Sequence, residues 1–282
     1  MLSSSSNKSA GLKVSIVTIS FNQAEFLERA LHSVSNQDYP NLEYIVVDPG
    51  STDGSLLILN QYRGAIDRLI IEPDAGPADG LNKGFSLATG DIFGFLNSDD
   101  ILLPGAIAKV VHFFEKNRKI DVVSADAILI DANDTPIRKL YSDRFSLIRY
   151  AYGANFIAQQ STFFKSSIFK QSGGFNNRNH IAWDGELFVD IAMAGGRFAL
   201  IRDFWSGFRS HPGSISASGR ADRTFSRYRI RIFRKILGRD MCSADYFLKI
   251  YYRMLKHFLN PLGVVEHLRH GSVYGRLRHR KS

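Results

Sequence analysis

The 282 residues are enough for a sizeable core in one large or two small domains, and a hydrophobic fraction of 44% excludes a mostly disordered chain. The formal net charge of +9 is concentrated near the end, because residues 220–282 hold 16 Lys and Arg against 4 Asp and Glu. The rest of the chain holds 20 bases and 23 acids (36 − 16 and 27 − 4), so the basic segment must be interpreted separately. The single cysteine, Cys242, excludes an intramolecular disulfide and a thiolate metal cluster.

The N-terminal residues contain no apolar signal-peptide core, and we expect a flexible tail over residues 1–12. No apolar run approaches the roughly 18–20 residues that a membrane span needs. These features, with the single cysteine, predict a cytoplasmic protein.

Strands and helices alternate along residues 13–138. The predicted strands are KVSIVTISFN, LEYIVVD, DRLIIEPD, DIFGFLNSDD and DVVSADAILID, and an amphipathic helix follows each of the first four. This alternation predicts βαβ units and a mostly parallel sheet. Because ligands of such sheets bind outside the carboxyl ends of the strands, we expect Asp48, Asp99 and Asp100 to converge on one crevice.

The alternation weakens after Arg138. STFFKSSIFKQSGGF predicts a strand, a short helix and a glycine turn, and WDGELFVDIAMAGG predicts a helix with acids at its start. RFALIRDFWSGFRSH predicts two short strands. Beyond residue 220, arginines interleave with large apolar residues at helical spacing, and we place a domain boundary there.

The neighbouring carboxylates of Asp99 and Asp100 repel each other, so at a crevice they favour a bound cation. Hard oxygen ligands suit Mg²⁺ or Mn²⁺, which often bridges the phosphates of a substrate. The alternative is that the pair caps the helix that begins near Leu103.

A similar alternative exists for Asp48, since it or Ser51 could cap the helix that follows. Ser51, Thr52 and Asp53 already offer caps in that turn, which leaves Asp48 surplus. A surplus carboxylate at a strand end can accept a hydrogen bond from a ligand N–H group such as a nucleobase imide.

Several common catalytic motifs are missing from the sequence. There is no G-x-G-x-x-G after the first strand and no G-x-x-x-x-G-K-[ST], so the usual phosphate-binding loops are excluded. No H-E-x-x-H and no G-x-S-x-G occurs, which argues against a zinc site and an α/β-hydrolase. A bound diphosphate would therefore need a metal ion to balance its charge.

Two stretches, residues 14–55 and 72–106, resemble the family 2 inverting glycosyltransferases with the GT-A fold. They contain, in the family's order, S-F-N, N-Q-x-Y-P-N-L-E, V-D-x-G-S-T-D-G, N-K-G, A-T-G-D and N-S-D-D-x-x-x-P. The resemblance implies an α/β GT-A (Rossmann-like) fold, a mostly parallel sheet flanked by helices. The domain would span residues 13–219, with 13–105 as donor half and 106–219 as acceptor half, and 220–282 would be a basic helical extension.

The resemblance also implies roles on the donor side. Asp48 would contact the nucleobase of a nucleotide-sugar, and Asp99 would be the chief contact of a divalent Mn²⁺ or Mg²⁺, with Asp100 beside it. The family's D-x-D motif begins with Asn97 here, so the metal affinity would be weaker, and Pro49 replaces the second aspartate of V-D-D-G-S. The other residues that would face the donor are Ser20, Phe21, Asp79, Asn82 and Lys83.

On the acceptor side, the resemblance to the family's E-D-x-x-L helix start implies Asp184 as the general base, with Glu186 beside it. Trp183 stands where the family has a glutamate. The alternative is that Asp184 and Glu186 only stabilise a helix N-terminus.

Two other segments carry polar side chains that could reach the substrates. His211 or Arg209 could approach the diphosphate, with His211 as a further metal ligand, or could be an ordinary turn residue. Gln159 and Gln160 could bind sugar hydroxyls or be ordinary strand-end residues.

We therefore expect a glycosyltransferase that moves a sugar from a nucleotide-sugar, first of all a UDP-sugar, to a glycan or lipid-linked acceptor. Residues 220–282 could contact an anionic membrane at its inner face, or pack their apolar sides on the core. The alternatives are a nucleic-acid binder that uses the basic segment, a nucleotidyltransferase, or a non-catalytic nucleotide-sugar binder. Nucleic-acid binding leaves the crevice acids without a role and is not expected.

Overall fold

The structure is a computed structural model that describes residues 11–214 and 222–271. In its first part, strands alternate with helices, as the hydrophobic periodicity predicts. The elements are β1 (Val14–Ile19), α1 (Ala24–Ser35), β2 (Leu42–Asp48), α2 (Ser55–Gln61), β3 (Arg68–Ile71), α3 (Pro77–Leu87), β4 (Ile92–Asn97), β5 (Ile101–Leu102) and α4 (Ala106–Lys116).

The later part mixes short strands and helices. Its elements are β6 (Val122–Ile130), β7 (Pro136–Leu140), α5 (Leu147–Ala151), β8 (Thr162–Lys165), α6 (Ser166–Ser172), α7 (Trp183–Met193), β9 (Phe198–Arg209), α8 (Asp222–Leu237), α9 (Ser243–Leu259) and α10 (Pro261–His270). None of the helices in the described ranges is both long enough and apolar enough to cross a membrane.

The strands within residues 11–214 form one mixed sheet in the order β3-β2-β1-β4-β8-β6-β9-β5, with β7 paired to β6. Strands β1 to β4 are parallel to one another, as predicted, whereas β8 is antiparallel to both of its neighbours. Ile19 of β1 is level with Val47 of β2 and with Asn97 of β4. The chain therefore leaves these three central strands at the same edge of the sheet, and the polar residues that follow them are brought together.

Two layers of helices cover the sheet, because successive strand residues point to opposite faces. Ile16 packs in the same cluster as Leu27 of α1 and Ile107 of α4. Its neighbour Val17 packs in the other cluster, with Leu187 of α7. Burying such a side chain stabilises the fold by about 1.5–3 kcal/mol relative to leaving it exposed.

One prediction about the strands was wrong. Residues 198–209 form a single strand, β9, not two short ones. The pairing of β9 with β6 shifts register between Ser124 and Asp126 and again before Ala127, so one strand follows the twist of the sheet through an irregular pairing. The short elements β5, β7 and α5 had no periodicity long enough to be predicted.

Helix α8 packs with an ordinary amphipathic arrangement. It buries Tyr228, Ile232 and Phe233 against the body of the protein, where Tyr228 and Ile232 cluster with Val189 of α7. Residues 1–10 and 272–282 of the predicted terminal segments lie outside the described residues. The proposed division near residue 220 stays a prediction.

The close contact of α3 with the sheet predicts the effect of Gly84→Ala. A methyl group at Gly84 would overlap the Val17 side chain and lie 3.3 Å from Val47 Cγ2. We expect the variant to lose about 1–3 kcal/mol of unfolding free energy, since an overpacked core must distort. Urea unfolding of the variant and the wild type measures this difference in unfolding free energy. Gly64→Ala is the control, because nothing lies within 4 Å of that position; equal stability of both variants would contradict the packing described.

Candidate functional site

A cleft of about 1050 Å³ opens at the edge of the sheet where β1 and β4 end. One wall comes from the residues after the strands, and the opposite wall comes from α5, the segment before β8, the start of α7 and Phe225 of α8. The lining residues used below are Ser20, Phe21, Pro49, Asp74, Asn97, Asp99, Tyr150, Trp183 and Asp184. A volume of this size is large enough for an extended small-molecule ligand.

Ser20 and Phe21 lie in the cleft, where the sequence places them. The main-chain N–H of Ser20 donates to the Val47 carbonyl at 2.9 Å, which continues the pairing of β1 with β2. The Ser20 hydroxyl is buried and has no hydrogen-bond partner among the described residues. A buried hydroxyl without a partner is costly, so this group is available to a ligand that enters the cleft.

Asp48 lies behind the cleft and does not line it. Its Oδ1 accepts hydrogen bonds from the N–H groups of Gly50 at 2.9 Å and Ser51 at 2.7 Å, and its Oδ2 accepts from the Ser51 hydroxyl at 2.7 Å. Helix α2 begins later and has no side-chain cap. Asp48 is therefore not the helix cap considered above; its contacts fix the turn that carries Pro49 into the cleft wall.

The three residues predicted on α3 also lie outside the cleft lining. The Asn82 side chain is hydrogen-bonded to the loop after α6. It donates to the Phe175 carbonyl at 2.8 Å and accepts from the Phe175 N–H at 3.0 Å. Lys83 donates to the Pro73 carbonyl at 2.6 Å, and Asp79 accepts from the Ala75 N–H at 3.0 Å. These side chains hold the loop before α3, from which Asp74 reaches the cleft.

Asn97 and Asp99 lie together in the cleft after β4. The Asn97 Oδ1 atom is buried and accepts no hydrogen bond from the described residues. Asp99 Oδ2 lies 3.1 Å from His211 Nε2, and the His211 ring packs on Phe26 with centroids 4.4 Å apart. His211 thus lies beside Asp99 but does not line the cleft, and its role as a metal ligand stays a prediction.

Asp100 points away from Asp99 into the protein. Its Oδ1 accepts from the main-chain N–H of Arg209 at 2.9 Å, and its Oδ2 accepts from Gln160 Nε2 at 2.8 Å. Burial, and then the nearby Asp99 charge, raises the pKa of Asp100 well above its ordinary value. Both of its oxygens are engaged within the protein, so the geometry does not support Asp100 as a metal ligand.

The described residues contain no group of three His, Cys, Asp or Glu side chains arranged to hold a metal ion by themselves. Asn97 Oδ1 and the Asp99 carboxylate are nevertheless hard oxygen donors in the same cleft, and the Asn97 atom is unpartnered. This donor set fits Mg²⁺ or Mn²⁺, which take few protein ligands and complete their shell with water and phosphate oxygens. It does not suit a softer metal.

Asp184 lies on the opposite wall, at the start of α7. Burial raises the pKa of its carboxyl group, and the N–H of Gly185 opposes that shift. The hydroxyls of Tyr150 and Tyr228 lie 2.9 Å apart nearby, and burial followed by the Asp184 charge raises the pKa of Tyr150. Asp184 has no side-chain donor among the described residues, so its carboxylate is free to accept a proton from a ligand.

Glu186, two residues after Asp184 in the predicted motif, makes its contacts within the protein and does not line the cleft. It is fully buried and forms a bidentate ion pair with Arg231 of α8, with Asn179 donating to it at 2.7 Å. Burial alone would raise the pKa of Glu186, but the hydrogen bonds from Arg231 and Asn176 outweigh it and hold the pKa at about 2. This pair fastens α8, which carries Phe225, against the start of α7.

The sequence did not indicate several of the lining residues. Tyr150 lies in α5, a five-residue helix, and Phe225 lies in a segment interpreted only by its charge. Trp183, which departs from the family motif, also lines the cleft, and its buried indole N–H has no acceptor among the described residues. Its position directly before Asp184, where the family has a glutamate, is the sequence signal that could have identified it.

Comparison with known proteins identifies the family of this chain. The family model described as "Glycosyl transferase family 2" matches residues 15–202, which is more than half of the chain. The chain therefore belongs to glycosyl transferase family 2, and its domain is that of a transferase enzyme.

Curated relatives agree with this assignment. An uncharacterized glycosyltransferase from Nostoc sp. is 31% identical over 146 residues, and the match spans 49% of this chain but only 45% of that protein. An uncharacterized glycosyltransferase from Mycobacterium tuberculosis is 31% identical over 186 residues, 64% of this chain and 69% of the relative. A PGL/p-HBAD biosynthesis glycosyltransferase from Mycobacterium bovis is 32% identical over 179 residues, 62% of this chain and 68% of the relative.

Solved structures show the same GT-A fold. S. aureus TarS 1–349 in complex with UDP-GlcNAc aligns with a TM-score of 0.65 and 20% identity, over 88% of this chain and 73% of that one. The mannosyltransferase PcManGT from Pyrobaculum calidifontis, in complex with GDP-Man and Mn²⁺, aligns with a TM-score of 0.63 and 20% identity, over 93% and 74%. The GT-A fold predicted from the sequence is confirmed.

The ion pair between α7 and α8 predicts the effect of Glu186→Gln. We expect the free energy of unfolding at neutral pH to fall by about 2 kcal/mol, since the buried side chain at position 186 loses its charge-assisted hydrogen bonds with Arg231. The depressed pKa gives a pH signature: the wild type loses this contribution as pH falls from about 4.5 toward 2, and the variant does not.

Denaturant unfolding as a function of pH measures both effects. Glu72→Gln, at an exposed position, is the matched control and should change little. The same stability for both variants at neutral pH would show that the pair does not fasten α8.

Proposed function

We propose that the cleft binds a nucleotide-diphospho-sugar, in the first instance a UDP-sugar, and transfers its sugar with inversion to a hydroxyl of a glycan or lipid-linked oligosaccharide. The main support for this proposal is that the two opposite walls of the cleft carry different, complementary polar groups. Ser20 and Asn97, whose buried side-chain oxygens have no partner among the described residues, line one wall, and the half-buried Asp184, whose carboxylate has no side-chain donor there, lines the other. The UDP-GlcNAc and GDP-Man complexes of TarS and PcManGT support a nucleotide-sugar as donor.

The donor's nucleoside would lie between Phe21 and Pro49, with the Ser20 hydroxyl as its hydrogen-bonding partner. In this arrangement Asp48 acts by fixing the turn that presents Pro49, since its oxygens are taken up by that turn. Asp79, Asn82 and Lys83 act in a similar way by supporting the loop that carries Asp74. Direct contacts of these four residues with the donor stay predictions.

Asn97 and Asp99, which both line the cleft, would hold a divalent cation, Mn²⁺ or Mg²⁺, through the Asn97 Oδ1 atom and the Asp99 carboxylate. Such an ion, when bound, supplies positive charge that stabilises the departing diphosphate. His211, packed on Phe26, orients Asp99 Oδ2 for this role. Because Asn97 contributes no charge, we expect weaker binding of the ion than at a pair of carboxylates.

Asp184 would act as the general base on the acceptor. The acceptor oxygen forms a bond to the anomeric carbon while the bond from that carbon to the diphosphate oxygen breaks, and the electron pair leaves with the diphosphate. The acceptor proton passes to the Asp184 carboxylate. A single displacement of this kind inverts the anomeric configuration. Burial serves this role, because a raised pKa makes the carboxylate a stronger base.

Asp184→Asn tests the role of the base. We expect the turnover of a nucleotide-sugar with its acceptor to fall at least about 100-fold, with little change in donor affinity, because only proton transfer is lost. In the wild type, the acid limb of kcat/KM should lie above pH 3.8, the ordinary aspartate value, because activity requires the deprotonated form of a group with a raised pKa. Product formation against pH measures both.

Asp190→Asn is the control for that experiment, since Asp190 is on the same helix, outside the cleft, and paired with Lys235. It should keep most of the activity. Full turnover by the Asp184 variant would remove this residue as the base and leave the donor site untouched.

A second prediction concerns the cation. Asp99→Ala should weaken Mn²⁺-dependent donor binding by about tenfold or more, and Asn97→Asp should strengthen it, because a second charge joins the site. Calorimetry with the nucleoside diphosphate, with Mn²⁺ or with EDTA, gives the affinities. Asp38→Ala, at an exposed position away from the cleft, is the control. An affinity that depends neither on Mn²⁺ nor on Asp99 would remove the metal from the proposal.

A further inference from the structure

Helix α9 contacts the body of the protein mainly through polar groups, together with Tyr252, whose ring stacks on Tyr152. Asp245 is fully buried and accepts a hydrogen bond from the Tyr152 hydroxyl at 2.6 Å. Lys256 lies 3.5 Å from Asp143, and Asn260, directly after the helix, donates to Asp143 Oδ1 at 2.8 Å. These contacts fix the rotation of the helix about its axis, because each joins a buried polar group to a specific partner.

The opposite side of α9 is apolar and exposed. Phe247 is 77% exposed and Phe258 is 82% exposed, and they frame further apolar residues at helical spacing. Helix α10 extends the same surface with Leu268, which is 78% exposed. We call this surface the outer face; it comprises Phe247, Leu248, Ile250, Tyr251, Met254, Phe258, Leu259, Leu262, Val265 and Leu268.

This arrangement is the reverse of that in α8, which buries its apolar side. A water-soluble surface rarely carries so many contiguous large apolar side chains unless another molecule covers them. The charges beside the outer face indicate which molecule. Arg253 and Arg269 are exposed beside it, whereas the acids of α9 and α10, Asp245 and Glu266, are both buried.

A second copy of the chain would bring these cations close to the same cations, with no exposed acid on either helix to balance them. An anionic bilayer supplies the missing negative charge in its headgroups and a place for apolar side chains just below them. Phenylalanine and leucine, which make up most of the outer face, are typical of the apolar side of helices that lie at that boundary.

We propose that the outer face of α9 and α10 binds an anionic lipid bilayer, with the helices lying in the plane of the interface. The inner sides of the two helices lie near the large cleft. A groove of about 230 Å³ between β7 and the two helices shares Leu140, Phe156 and Phe208 with the wall of the large cleft. The membrane contact itself does not depend on the transfer reaction proposed above.

Flotation of the full-length chain with lipid vesicles tests the proposal. We expect binding to vesicles of phosphatidylcholine mixed with phosphatidylglycerol, and much weaker binding to phosphatidylcholine alone. The double variant Phe247→Gln, Phe258→Gln should bind the anionic vesicles about tenfold or more weakly, since two apolar anchors are lost. Both side chains are exposed and glutamine favours helices, so the fold should be kept, which circular dichroism checks.

Leu57→Gln is the matched control, because Leu57 is 71% exposed on α2, away from the outer face. It should bind as the wild type does. Equal binding of the double variant and the wild type, or no flotation with either vesicle, would overturn the proposal. So would a dimer of the wild type, seen by light scattering without lipid, that the double variant abolishes, because a second copy would then be the occupant.

Discussion

The buried arginine Arg209 holds together the strand ends on which the site depends. Its main-chain N–H binds the Asp100 carboxylate at 2.9 Å, and its Nε donates to the Asp99 carbonyl at 2.7 Å. The guanidinium also donates to the Asp131 carbonyl at 2.9 Å and pairs with Asp134. A fully buried cation is tolerated only when it is paired and hydrogen-bonded in this way. Arg209 thus joins the ends of three strands, β4, β6 and β9, and fixes the main chain at Asp99. The Asp99 side chain remains in the cleft.

The other wall of the cleft depends on a second buried charge. Glu186 joins the start of α7 to α8, and the same turn of α7 carries Asp184. The helix after the proposed domain boundary thus supports the wall that contains the proposed base. The two carboxylates of the helix start differ in their surroundings. Glu186 accepts side-chain hydrogen bonds from Arg231 and Asn176, and its pKa falls, whereas Asp184 accepts hydrogen bonds only from main-chain N–H groups, and burial raises its pKa.

Much of the fold was predictable, because the strands and helices in the first part of the chain have long, regular hydrophobic patterns. The parallel strands β1 to β4 and the helices between them follow directly from periodicity, and so does the edge at which Ser20, Asn97 and Asp99 meet. The orientation of individual side chains was not predictable. Asp48 and Asp100 lie at the expected strand ends, but local N–H groups and Gln160 engage their oxygens, and such hydrogen bonds leave no periodic signal. The orientation of the helices in the basic segment was likewise not predictable from the sequence. Their patterns allowed either packing or exposure of the apolar side, and long-range contacts such as Tyr152 to Asp245 decided the rotation of α9.

The most direct test of the central claim, that the cleft binds a nucleotide-sugar with the help of a metal ion, is the melting temperature of the purified chain with a panel of ligands. UDP, GDP, dTDP and their sugars would each be added with Mn²⁺ or with EDTA. A ligand that binds only the folded state must raise the melting temperature. The account predicts a Mn²⁺-dependent rise with the nucleotides of one base, and UDP is the first to examine. No rise with any nucleotide or nucleotide-sugar, together with a rise on adding RNA, would contradict it.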